Sequence, residues 1–233
     1  MIIAFMALGV MVGTVASATT RDIVAVDYPP MMIKDGQLPG FSIEIITEAA
    51  RRVGEDVSVQ FLPFQRAVKI VQHRTDVIHP ALYRNSRREN DYTWIAKYMS
   101  VNNVFLTLRE PIDTIEAARE LKSIGVEAKA QMDMFLTELG FKNLERVERA
   151  ELNARKLMAQ RLDAWALTDM LALWKWRELG MSEPLIPGKP VSFSPVYLVA
   201  GPDFSQEIAD RYERAIREML DDGTIEKILQ KYR

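Results

Sequence analysis

Short strand-like runs alternate with stretches of helical spacing along most of the chain, and this alternation restricts the fold more than any other feature. "DIVAVDY" (Asp22–Tyr28) is a compact apolar run stopped by Pro29 and Pro30, which reads as a strand followed by an extended turn. From Phe41 onward, Ile45, Ile46, Ala49 and Val53 follow helical spacing, and Gly54 stands where a C-terminal cap belongs. "VSVQFL" alternates like a strand. After Pro63, residues Phe64, Ala67, Val68 and Val71 mark a second helix, and "DVIH" reads as a buried strand stopped by Pro80. Strand, helix, strand in that order predicts a parallel α/β sheet.

A second α/β unit follows. "VNNVFLTL" (Val101–Leu108) is an apolar strand. Then "SIGVEAKA", "LERVE" and "RLDAWAL" read as strands, separated by the helices "AQMDMFLTELG" and "ELNARKLMAQ" and followed by "TDMLALWKWRELG". Extended segments broken by proline and glycine lead to a helix lined by Ile208, Tyr212, Ile216 and Met219, and Gly223 separates it from "TIEKILQKY". Two similar halves predict two lobes. The strands at 101–108 and 192–200 flank the second half, so they suit two crossings, with the second lobe inserted into the first.

Composition narrows the function. With 233 residues, 48% hydrophobic, the chain has an ample core for one domain or two small ones. A net charge of −2 and the absence of a basic run argue against nucleic acid or an anionic membrane surface as partner. No cysteine is present, so disulfide frameworks and thiolate chemistry are excluded. His73 and His79 lack metal-ligand spacing, and no phosphate loop or G-x-S-x-G elbow occurs. The residues therefore imply no cofactor. "MIIAFMALGVMVGTVASA" is uncharged, apolar and ends in Ala16-Ser17-Ala18. It reads as a secretory signal cleaved near Ala18, with an uncleaved anchor as the alternative.

The densest charge lies in "YRNSRREND" (Tyr83–Asp91). Ser86 and Glu89 have capping-box spacing, which predicts a helix starting at Ser86. Arg87 and Arg88 would then sit in its first turn, where cations are unfavourable by about 0.3–1 kcal/mol each unless an anion compensates. Glu89 and Asp91 can supply that anion, and so can a bound carboxylate on a forked guanidinium. Elsewhere Thr168 suits an N-cap and Asp169 the first turn of its helix. Arg66 reads equally as an exposed helical residue or a cleft residue.

"YPPMMIKDGQLPGFSIEIITEAARRVG", "PFQRAVKIVQHRTDVI", "RNSRRENDYTWIAKY", "RLDAW" and "DDGTIEKILQKY", in this order, resemble the bacterial extracellular solute-binding proteins of family 3. The resemblance implies a type II periplasmic-binding-protein fold: two α/β lobes joined by two hinge strands, with solute held in the cleft. The expected boundaries are 19–104 with 198–233 for the first lobe and 105–197 for the second. It implies a periplasmic, monomeric, non-enzymatic protein that hands a small polar or anionic, amino-acid-like solute to the permease of an ABC importer. Tyr28 falls where an aromatic stacks on the solute, and Arg88 where an arginine pairs with its carboxylate. Departures are Ala81 and Tyr83 in place of small hydroxyl residues, Ala130 and Gln131 in place of a Thr/Ser pair, and Thr168 in place of an aspartate. The expected site is thus Tyr28, Arg66, Tyr83, Arg88, Gln131, Trp165, Thr168 and Asp169. A dehydratase of the same fold and a ligand sensor are the alternatives.

Overall fold

The computed structural model describes residues 19–232; the expected signal segment, 1–18, lies outside the described residues. The first strands are β1 (Thr19–Ala25), β2 (Glu55–Phe61) and β3 (Val77–Tyr83), and β1 pairs in parallel with both others. Helices α1 (Phe41–Val53) and α2 (Phe64–His73) supply the crossovers. Helix α1 ends at Gly54 in the left-handed conformation, whose N–H is accepted by Arg51 O, as the glycine position predicts. The second lobe repeats the design. Its strands β5 (Ile124–Glu127), β6 (Leu144–Val147) and β7 (Ala164–Thr168) are parallel. Helix α3 (Ile115–Arg119) precedes them; α4 (Gln131–Glu138), α5 (Ala150–Met158) and α6 (Asp169–Glu178) surround them.

Two long strands join the lobes. β4 runs unbroken from Thr93 to Thr107 and pairs antiparallel with β9 (Ser192–Ala200), while the short β8 (Ile186–Pro187) adds to the end of β4. The whole sheet has the order β2-β1-β3-β9-β4-β7-β5-β6. On the first-lobe side β9 also pairs with β3, as far as Val196 opposite Tyr83; on the second-lobe side β4 pairs with β7 from Asn103 opposite Thr168. Between them, at Ser100–Asn102 facing Phe193–Pro195, the ladder is two strands wide. Helices α7 (Gln206–Asp221) and α8 (Thr224–Gln230) return to the first lobe and cover α1.

Each lobe buries apolar side chains on both faces of its sheet, as strand alternation requires. Ile23 and Ala25 of β1 face a core built with α1 and α7, while Val24 between them faces a core built with α2. In β4, Val104 and Leu106 pack toward Trp165, and Phe105 packs the other way with Ile124 and Leu136. Gly40 fixes the chain between β1 and α1. It has φ 95°, and a Cβ there would lie 2.6 Å from Met31 O, so no other residue fits without a shift.

Two local expectations are corrected. β3 does not stop at Pro80 but continues to Tyr83, with its pairing to β9 irregular between His79 and Leu82. A proline fits a strand where a bulge removes the need for its N–H, and the Pro80 carbonyl accepts from the Tyr98 hydroxyl at 3.0 Å. No helix begins at Ser86. Residues 86–90 form successive turns, with Arg88 N–H donating to Asn85 O and Asp91 N–H to Arg88 O. Glu89, the partner a capping box needs, is instead gripped by both Nε and Nη2 of Arg84, and its carbonyl accepts from Trp94 Nε1. A charge-assisted fork outcompetes a single backbone N–H for the same carboxylate.

Candidate functional site

A cavity of about 400 Å³ lies between the lobes at the carboxyl ends of β1, β3, β5 and β7, where open α/β sheets bind ligands. Five of the expected residues line it: Tyr28, Tyr83, Arg88, Gln131 and Thr168. The other three stand elsewhere. Arg66 is exposed on α2. Trp165 is fully buried in the second-lobe core. Asp169 accepts from Asn102 Nδ2 at 2.8 Å and from Met170 N–H. Asp169 therefore ties the second lobe to the narrow part of the sheet.

The first-lobe wall is cationic and aromatic. Arg88 is half-buried, its guanidinium 5.5 Å from the centre of the Phe64 ring, and it pairs with no carboxylate among the described residues. Such stacking suits a desolvated guanidinium. Arg84 and Arg87 have other partners. Arg84 holds Glu89 and lies over the rings of Trp94 and Tyr197. Arg87 reaches the second lobe, 3.5 Å from Met134 Sδ and 3.7 Å from Glu138. Tyr28 packs against the cores of both lobes. Burial pushes its phenol well above the ordinary range, and nearby Tyr83 and Glu127 push it further.

Polar atoms with unmet hydrogen bonds collect around the cavity. Among the described residues, His79 Nε2, the Tyr83 hydroxyl, Asn85 Oδ1 and Asn103 Oδ1 are buried without a partner and belong to residues that line the cavity, while Asn153 and Trp165 hold the other such atoms away from it. His79 Nδ1 accepts from Ala81 N–H at 3.1 Å, which leaves the proton of the neutral ring on Nε2 as a donor. Burial, with Arg88 beside it, lowers this histidine to about 4. Asn103 gives both amide hydrogens to Ser192 and Ser194 (3.0 and 2.8 Å), which fixes its oxygen as an acceptor. Buried polar atoms are nearly always satisfied, so this concentration marks a surface made for a polar guest.

The second-lobe wall comes from the β5–α4 turn and the end of β7. Lys129 adopts φ 63°, and its N–H is held by Asp133, which is itself fixed by Thr137 and Arg146. Helix α4 begins at Gln131 without a side-chain cap, and its first residues, Gln131 and Met132, line the cavity. Thr168 precedes α6, yet its hydroxyl makes no capping bond; it stays free on the cavity wall. Glu127 also lines the cavity, and burial raises its carboxyl above the ordinary value, with Glu151 adding to the rise. Apolar lining comes from Met31, Met32, Met132, Met134 and Leu82.

Sequence reasoning missed His79, Asn85, Asn103 and Glu127. Spacing could not single out His79, Asn103 or Glu127, which belong to no motif, and within "YRNSRREND" the charged residues drew the argument away from Asn85. One signal was present for Glu127: a carboxylate at the carboxyl end of a strand in a parallel sheet occupies the ligand-binding edge.

The comparisons with known proteins agree with this geometry. At the sequence level the chain is similar to the arginine-binding extracellular protein ArtP of Bacillus subtilis (strain 168), 22% identical, covering 88% of this chain and 82% of that protein. It is also similar to the L-cystine-binding protein TcyA of the same organism, 25% identical over 88% and 77% of the two. Among solved structures, the probable amino-acid ABC transporter extracellular-binding protein ytmK of Bacillus subtilis aligns with a TM-score of 0.78 at 19% identity, covering 93% and 98%. A histidine kinase sensor domain similar to periplasmic binding proteins aligns at 0.76 and 17% identity, covering 92% and 96%. The family model for bacterial extracellular solute-binding proteins, family 3, matches residues 22–233. A match across nearly all of the described chain, on a two-lobe fold with a cavity between the lobes, makes this protein a member of that family.

Proposed function

We propose that the protein captures a small polar or anionic, amino-acid-like solute between its lobes outside the cytoplasm and delivers it to an ABC permease, without transforming it. The observation that carries this reading is Arg88: a half-buried guanidinium on the cavity wall with no carboxylate partner. A buried charge is retained at a cost unless something pairs with it, and an anionic group of the solute supplies that partner. Tyr28, Tyr83, Gln131 and Thr168 add contacts from both lobes. We place the division between the lobes where the ladder narrows, at Ser100–Asn102 and Phe193–Pro195, a few residues before the boundaries 104/105 and 197/198 expected from the sequence. Solute bridging both walls favours the closed form because the second set of contacts exists only there.

The test is a thermal-shift screen of amino acids, small carboxylates and amines, since a ligand that binds the folded state raises its melting temperature. For the best compound, Arg88→Ala is expected to weaken binding at least tenfold by calorimetry, because a charge-assisted hydrogen bond contributes about 1.5–3 kcal/mol. Unchanged affinity would remove Arg88 from the site.

A further inference from the structure

Helix α6 carries apolar side chains on two faces, and they enter different cores. Leu171, Ala172 and Trp176 are buried in the core of the second lobe, whereas Met170 and Trp174 pack against the core of the first. Met170, Trp174 and Arg177 follow i, i+4, i+7 spacing and so form one stripe. That stripe meets Tyr232, the last described residue. The Trp174 and Tyr232 rings are 6.2 Å apart. Arg177 donates from Nη2 to the Tyr232 carbonyl at 3.3 Å, with its guanidinium 5.9 Å from the centre of the Trp174 ring. Tyr232 is anchored in turn to the first lobe. Its hydroxyl donates to Glu44 at 2.6 Å and accepts from Gly40 N–H at 3.1 Å, and its ring meets Phe41 edge-on. At the other end of the helix, Asp169 is bonded to Asn102 in the narrow ladder. With a rise of about 1.5 Å per residue, Trp174 and Arg177 lie roughly 8 and 12 Å further along the axis, so their contacts act with a lever arm about that ladder. None of Trp174, Arg177 and Tyr232 lines the cavity.

We propose that α6 and Tyr232 form a brace between the lobes, outside the cavity, that holds them together before any solute enters. In the same form Arg87 bridges the lobes on the cavity side, 3.7 Å from Glu138, and Tyr28 packs against both cores. The braced arrangement is therefore the one with the lobes drawn together. The Arg87–Glu138 pair is 71% exposed on each side, and such surface pairs contribute little. The brace, with a tryptophan against a buried tyrosine, carries the greater share. Two arrangements of the lobes exchange population according to the contacts that one has and the other lacks. Loss of the brace therefore lowers the cost of parting the lobes, whichever solute the cavity takes.

The chain has no cysteine, so Lys69→Cys on the first lobe and Lys142→Cys on the second, both exposed positions, accept spin labels at two defined points. Distances between the labels are measured by electron resonance with no solute added, for this pair alone and with Trp174→Ala, Arg177→Gln or Leu173→Ala. Trp174→Ala is expected to raise the population at longer separations at least threefold, and Arg177→Gln to shift it the same way by less. Leu173 packs against the second-lobe core, so Leu173→Ala truncates the other side of α6 and should leave the distribution where it was. An unchanged or shortened separation with Trp174→Ala overturns the brace. An equal shift with Leu173→Ala also overturns it, because the effect then comes from loosening of α6 itself. With no solute present, none of these outcomes bears on solute binding.

Discussion

At the scale of single residues, His79 joins stability to the candidate site. Its ring is buried, bonded through Nδ1 and held neutral, with its folded value lowered from 6.5 to about 4. Above pH 6.5 both folded and unfolded forms are neutral. As pH falls from 6.5 toward 4 the unfolded chain takes up a proton that the folded one refuses, so stability drops by roughly 3 kcal/mol across that window. Below it, both forms are protonated and this contribution is exhausted. Urea unfolding measured between pH 7 and pH 4 should show the loss, and His79→Gln should flatten that part of the profile. An equally steep profile in the variant would remove His79 as its origin. Nothing in the sequence around His79 announced this, since the ring's neutrality comes from burial and from Arg88, nine positions away.

Among elements, the join between β1, β2 and α7 depends on one buried ion pair. Arg21 of β1 donates from Nε and Nη2 to the two carboxylate oxygens of Glu55 in β2, at 2.9 and 3.1 Å. Tyr212 of α7 donates to the same carboxylate at 3.0 Å. Burial alone would raise Glu55, but these donors overcome it and hold it below the ordinary value. Removing Arg21 leaves the buried Glu55 with only the Tyr212 hydroxyl and Arg211 at 3.8 Å, so Arg21→Ala should cost up to about 3–5 kcal/mol, read as a lower urea midpoint with unchanged slope. A replacement of both by well-packed apolar residues should cost much less, and equal losses in the two variants would show that packing rather than charge sets the effect. The helices and strands themselves were legible from periodicity and from Gly54 and Pro63. The failures came where tertiary contacts diverted a local signal: Glu89 to Arg84, and the Pro80 carbonyl to Tyr98.

For the whole molecule, the narrow ladder at Ser100–Asn102 and Phe193–Pro195 is where the proposed closure would pivot. Arg87 spans the lobes on the cavity side, and Trp174 of α6 packs near Tyr232, their rings 6.2 Å apart, elsewhere on the boundary. Small-angle scattering should show a smaller radius of gyration once the protein is saturated with the compound giving the largest thermal shift. An identical radius with and without it would argue against closure by the solute.

The sequence by itself determined the α/β alternation, the two halves and their crossings, because hydrophobic period and the positions of glycine and proline are local properties of the chain. It also placed Arg88 and Tyr28, through order and resemblance. Only the tertiary structure decided which side chains face the cavity. It withdrew Trp165 into a core, turned Asp169 toward Asn102, and brought Glu127 and His79 to the wall. A side chain's direction and the partners left to it depend on strands far apart in sequence, and no spacing rule along one chain contains that information.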